Sequence, residues 1–216
     1  MKRKTVVAVL NQKGGSGKTT IATNLAHAFI LDGKSVLLVD SDPQGSARDW
    51  NEANLGEIVP VVGLDRETLP RDLQAVSSGY DWIIIDGAPQ VAKLSAAAIK
   101  SADVVLIPVQ PSPYDVWAAA DVVDLVKARQ AVTNGVPKAA FLVSRAIVNT
   151  KLGAEVIGAL QDYELPVFTA RTSQRVVYSE SASEGKTVFV DSNGPAAQEM
   201  LAIREELKRF VGEDRQ

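Results

Sequence analysis

Five short apolar runs punctuate the chain, and none alternates with polar residues: TVVAVL (5–10), SVLLVD (35–40), DWIIID (81–86), DVVLIPV (103–109) and AAFLVS (139–144). Such valine- and isoleucine-rich runs predict strands buried on both faces of a parallel sheet. The segments between them carry apolar residues every three or four positions. KTTIATNLAHAFILDG (18–33) predicts a helix closed by Gly33, and YDVWAAADVVDLVKARQAV (114–132) predicts a second. PAAQEMLAIREELKRFVG (195–212) opens on proline and closes on glycine, as helix ends do. The stretch 52–72 is the least regular, with IVPVVG (58–63) its candidate strand.

Strand and helix in alternation imply an α/β fold: a doubly wound, mostly parallel sheet flanked by helices, with right-handed crossovers. Ligands then bind at the carboxyl ends of the strands. The 216 residues suit one domain spanning 1–216, without repeats, low-complexity tracts or linkers.

Composition removes several function classes. There is no cysteine, which excludes disulfides, thiolate zinc sites and iron–sulfur clusters, and a single histidine argues against a histidine metal site or a triad. With 23 Lys and Arg against 26 Asp and Glu, the net charge of −3 is not that of a basic nucleic-acid-binding domain, so any DNA contact must come from a local patch. MKRKTVVAVLN is too short in its apolar part for a signal peptide, and no run reaches the length of a membrane span. A cytoplasmic location is expected.

The chemistry concentrates in LNQKGGSGKTT (10–20), between the first strand and the first helix. A phosphate loop of the common form G-x-x-x-x-G-K-[ST] needs glycine where Gln12 stands; this loop has Gly14, Gly15 and a second lysine, Lys13, instead. Glycines let backbone N–H groups wrap phosphate, and the helix N-terminus adds positive potential. Lys18 would reach the β- and γ-phosphates and the Thr19 hydroxyl Mg2+. The candidate nucleotide-binding residues are Lys13, Gly14, Gly15, Ser16, Gly17, Lys18, Thr19 and Thr20. A glycine-rich turn that binds nothing is the competing reading, and the strand–loop–helix context disfavours it. In LLVDSDPQGS, Asp40 and Asp42 leave a strand end on the same side; capping of the next helix is their competing role. In YDWIIIDGAP, Asp86 ends a buried strand, where a carboxylate stands close to Mg2+ through water.

The loop K-G-G-x-G-K-T and the segment DSDPQG resemble the deviant Walker A ATPases of the ParA/MinD type. The resemblance runs to about residue 190 and is strongest to the small ParF-like plasmid-partition proteins. It implies that Lys13 crosses a two-fold dimer to the other subunit's nucleotide, so that Lys13, Lys18 and Asp42 are the catalytic candidates. Asp42 would position the attacking water, while Asp40 lies near the metal shell with Thr19 and Asp86. The proline-rich IPVQPSPYDVW (107–117) would lie beside the nucleotide and the dimer face, or be an ordinary strand-to-helix turn. At FLVSRAI the family's adenine-contacting asparagine is replaced by Ser144, leaving Arg145 as the nucleotide candidate. No N-K-x-D motif is present, which favours ATP over GTP. In ARTSQRVVYSESASEGKTVFV (170–190), Arg171, Arg175 and Lys186 match the family's DNA-contacting cations, partly offset by Glu180 and Glu184; solvated surface charge is their competing reading.

The implied protein is a Mg2+-dependent ATPase of weak intrinsic activity. Its ATP-bound sandwich dimer binds DNA without sequence preference and is nucleoid-associated in that state. A small centromere-binding partner stimulates hydrolysis and resets it. With the loop beginning at residue 11, no N-terminal helix-turn-helix domain is expected. A membrane-cycling MinD-like ATPase and a metabolic synthetase of the same fold compete. The charge-balanced REELKRFVGEDRQ disfavours a membrane partner, and no insertion suggests a second substrate pocket. His27, Trp50, Trp82 and Trp117 are read as structural, and Leu201, Ile203, Leu207, Phe210 and Val211 as packing on the sheet.

Overall fold

A computed structural model describes residues 4–147 and 151–212, the side chains of 151–154 excepted. Six parallel strands form one sheet: β1 (Thr5–Val9), β2 (Val36–Asp40), β3 (Val61–Gly63), β4 (Trp82–Asp86), β5 (Val104–Val109) and β6 (Lys138–Val143). Their order is β3-β2-β4-β1-β5-β6. The chain reverses direction across the sheet after β4, so the crevice at the end of β1 is the place for a ligand.

Within each strand successive side chains feed opposite cores. Val6, Ala8 and Leu10 pack on one side with Ile83, Ile85, Val105 and Phe141. Val7 and Val9 pack on the other with Phe29, Trp82, Met200 and Leu207. The first core is covered by α3 (Leu69–Val76), α4 (Ala92–Ser101), α6 (Ala120–Ala131) and α7 (Lys151–Gln161). The second is covered by α1 (Lys18–Leu31), α2 (Ser46–Ala53) and α9 (Pro195–Val211). Helix α1 lies between the sheet and α9, which is why nine of its residues are buried. Helix α9 ends on Gly212 in the left-handed conformation, and its Ile203 and Leu207 are buried in the core, as the sequence pattern requires. No helix of the described residues is long and apolar enough to cross a membrane.

Two expectations need correction. The helix expected over 114–132 runs as α5 (Pro113–Ala118) and α6, because the Ala119 N–H bonds three residues back to the Val116 carbonyl and tightens the turn there. Trp50 and Trp82 are buried, at 7% and 0% exposure, but Trp117 is 64% exposed and is no core residue. His27 is structural: its Nδ1 lies 2.6 Å from Thr187 Oγ1, its ring meets Phe189 edge-on, and burial lowers its pKa.

Candidate nucleotide site

Register sets the site's geometry. Asp86 at the end of β4 is level with Val9 of β1 on one side and Asp40 of β2 on the other. Of the strands carrying the three acids, only β4 flanks β1 directly; β2 is one strand further out, and β5 occupies the other flank. The chain past β4 comes so close to β1 that a Cβ on Gly87 would stand 2.8 Å from the Val9 carbonyl. Glycine is the residue that allows this approach.

The loop after β1 turns into α1 through Gly15 (φ 74°) and Gly17 (φ 95°), a left-handed pair that residues with a Cβ rarely adopt. Side chains and backbone from three neighbouring strand ends hold it. Asn11 donates to the Pro108 carbonyl (2.7 Å) and accepts the Lys13 N–H (2.9 Å). The Gln110 amide donates to the Gly15 carbonyl (2.6 Å), and the Ser144 hydroxyl to the Ser16 carbonyl (2.9 Å). The Gln90 N–H donates to the Gln12 carbonyl (3.1 Å). Pro108 is tolerated inside β5 because the pairing of β5 with β1 ends at Leu106, so no ladder bond needs its missing N–H.

Lys18 is 7% exposed and donates to the Lys13 carbonyl (3.0 Å), arching over the loop. Burial lowers its pKa, opposed by the charges of Asp86 and Asp42. The Thr19 hydroxyl donates to Asp86 Oδ2 (2.7 Å). Burial, reinforced by the charges of Asp40 and Asp42, pushes the Asp86 carboxyl up to about 7, against the Thr19 bond and Lys18. Asp86 Oδ1 and Ser16 Oγ are buried without a hydrogen-bond partner among the described residues. A hydroxyl backed by a carboxylate with an unsatisfied oxygen suits a hard divalent cation. Thr19 and Asp86 would therefore hold Mg2+, which when bound offsets charge on the phosphate oxygens.

Asp40 does not share that task. Its Oδ1 accepts the Asp42 N–H (3.0 Å), and its Oδ2 accepts the backbone N–H (3.0 Å) and Nε (3.3 Å) of Arg48. Both oxygens are committed to fixing the start of α2, so the structure gives Asp40 the capping role in place of a seat near the metal. Asp42 is half-buried; one oxygen accepts the Gln44 N–H (3.0 Å), and the other has no hydrogen-bond partner among the described residues.

Lys13 neither points into solvent nor joins Lys18 over the loop. Its ammonium sits 2.6 Å from Asp115 on α5. Asp115 is 2% exposed, and its other oxygen is unpartnered. Nothing in the sequence singled out Asp115, Gln110 or Asn11; an acid within a predicted apolar helix was the available signal for the first.

A cavity of about 560 Å³ opens beside the start of α1, lined among others by Gly17, Thr20, Ser144, Arg145, Thr172 and Arg175. Arg145 ends β6 in a left-handed conformation (φ 52°), and its N–H donates to the Thr172 hydroxyl (3.1 Å). This is room for a nucleoside next to the phosphate loop. Ser144 stands in its wall with its hydroxyl committed to the loop.

The three DNA candidates are not gathered together. Arg175 pairs with Glu199 on α9 (2.9 Å) at the cavity wall, and Lys186 pairs with Glu184 (2.7 Å) beside α2, where its carbonyl accepts the Trp50 indole N–H. Arg171 is exposed at a second groove, beside Gln161 and Phe168.

Residues 7–188 match the model of the CobQ/CobB/MinD/ParA nucleotide-binding domain family. The chain belongs to this family. It is a ParA/MinD-type P-loop ATPase, and its ligands are ATP and Mg2+. Among relatives, the chain is 33% identical over 211 residues to the "maintenance of carboxysome distribution protein A" of Gloeobacter kilaueensis, covering 94% of each chain. It is 31% identical over 187 residues to the protein of that name from Halothiobacillus neapolitanus, covering 85% of this chain and 86% of that one. It is 28% identical to the sporulation initiation inhibitor protein Soj of Bacillus subtilis, covering 94% and 97%. Its fold matches that of apo McdA from Cyanothece with a TM-score of 0.79 at 18% identity, covering 95% and 100%. The ParA/MinD-type site thus comprises one phosphate loop, one lysine over it, one buried carboxylate behind the metal position, and a second lysine parked on α5.

Proposed function

We propose that this ATPase is a nucleotide-switched partition protein. ATP binding lets two copies close face to face, each extending Lys13 toward the nucleotide of the other, and the paired surface binds DNA without sequence preference. Hydrolysis, stimulated by a small cargo-bound partner protein, separates the copies. The observation that carries this reading is the second lysine itself. It lies on the phosphate loop, is only half-buried, and is held by one carboxylate that it can leave. A cation brought to the γ-phosphate offsets the charge that spreads over its oxygens in the transition state. Asp42, with a free oxygen at the loop, is positioned to orient water. DNA affinity would come from Arg171, Arg175 and Lys186 of both copies; since two of the three already face acids, it is weak singly and strongly salt-dependent.

A second reading differs in the cargo. The two relatives above 30% identity carry the name of a carboxysome-distribution protein, so the cargo can be a protein body instead of a DNA molecule. A DNA mobility-shift assay beside liposome pelleting, each with and without ATP, tests the common core. ATP-dependent binding to DNA supports it. ATP-dependent binding to lipid without DNA binding refutes it in favour of a membrane-cycling protein.

A further inference from the structure

The short helix α5 does two things at once. Asp115 points inward and holds Lys13, while Tyr114 and Trp117, three residues apart and hence on one helical face, point outward. The two rings meet edge to face with centroids 5.4 Å apart, and they are 72% and 64% exposed. They are among the most exposed large apolar side chains of the described residues, and the only two in contact with each other as rings. A solvated aromatic pair on a rigid turn is the kind of residue that anchors protein interfaces.

We propose that Tyr114 and Trp117 are the anchor by which a second copy of this chain docks. This rests on the reading that Lys13 serves the other copy. The occupant follows from reach. A lysine has a four-carbon stem, so wherever the Lys13 ammonium meets a second copy, the groups around its present position lie at that contact. Helix α5 is the element it touches now. The β5–α5 connection is also tied to the phosphate loop by Asn11 on Pro108 and by Gln110 on Gly15, so loop and anchor form one connected unit. When phosphate draws Lys13 off Asp115, the contact that holds α5 to the loop changes, and the aromatic face is presented or withdrawn with it.

Tryptophan fluorescence tests this directly, because Trp50 and Trp82 are buried and Trp117 is the accessible indole. Acrylamide quenching is measured with a non-hydrolysable ATP analogue and Mg2+ across a range of protein concentrations, with Trp117→Phe as the blank. The proposal predicts that the Trp117 component of quenching is lost as dimer forms. Trp117→Ala and Tyr114→Ala should each weaken the dimer about tenfold or more, with monomer affinity for the analogue unchanged. If Trp117 stays quenchable in a dimer that light scattering confirms, or is protected equally at concentrations where the protein is monomeric, the proposal is overturned. If Lys13→Ala also dimerises with the analogue, the underlying functional reading fails instead.

Discussion

Lys13→Met should destabilise the nucleotide-free protein, through the acid it abandons. Asp115 is 2% exposed, receives the ammonium on one oxygen at 2.6 Å, and has no partner on the other. Removing one member of a fully buried pair costs about 3–5 kcal/mol, since the remaining charge is left uncompensated. The Lys13 side chain is 39% exposed, so water screens part of the attraction. We expect a loss of about 2 kcal/mol, or roughly 4–8 °C in Tm for a chain of this size. Replacing the acid as well should restore most of it: Lys13→Met/Asp115→Asn should be more stable than Lys13→Met alone by at least about 1 kcal/mol. Urea unfolding of the four proteins of this cycle, without nucleotide, measures the coupling. Asp115→Asn alone should lower the ATP concentration needed for dimerisation, because Lys13 then leaves no charge behind. Additive losses, with Lys13→Met costing the same in both backgrounds, would show that the ion pair carries no energy.

Other outcomes follow from the same geometry. Lys18→Ala should lose nucleotide binding in a fluorescent-analogue titration; ordinary affinity would remove Lys18 from the phosphate site. Ser144→Ala strips the buried Ser16 carbonyl of its donor and should cost about 1–3 kcal/mol of stability, with weaker analogue binding. Equal affinity in that variant would mean that the loop does not need this prop. His27 is the chain's single histidine and is held neutral by burial. Its folded pKa lies below 6.5, so its contribution to stability is present above that pH and declines as pH falls below it, by at most about 1.4 kcal/mol per pH unit. Urea midpoints should therefore fall more steeply below pH 6.5 for the native chain than for His27→Gln; parallel curves would contradict it.

The strands were legible because parallel strands buried on both faces leave unbroken apolar runs, and each predicted run lies on an observed strand. The loop and Asp86 were legible because motif spacing fixes them to strand ends. What the sequence hid was pairing across distance. Asp40 and Asp42 read as twins at one strand end, and only the position of Arg48, eight residues on from Asp40, separates the capping acid from the free one. Asp115 lies 102 residues from Lys13, and no periodicity announces that a helix too short to bury both faces will turn its acid inward and its aromatics out. Trp117 was misread for the same reason: tryptophan in an apolar segment is ordinarily core.

The central claim is that two copies exchange Lys13 across bound ATP. Light scattering of Asp42→Ala, which should retain ATP unhydrolysed, set beside Asp42→Ala/Lys13→Ala, tests it most directly. The account predicts a dimer for the first with ATP and Mg2+ and a monomer for the second, with both binding nucleotide. A dimer of equal strength from the protein lacking Lys13 would contradict it.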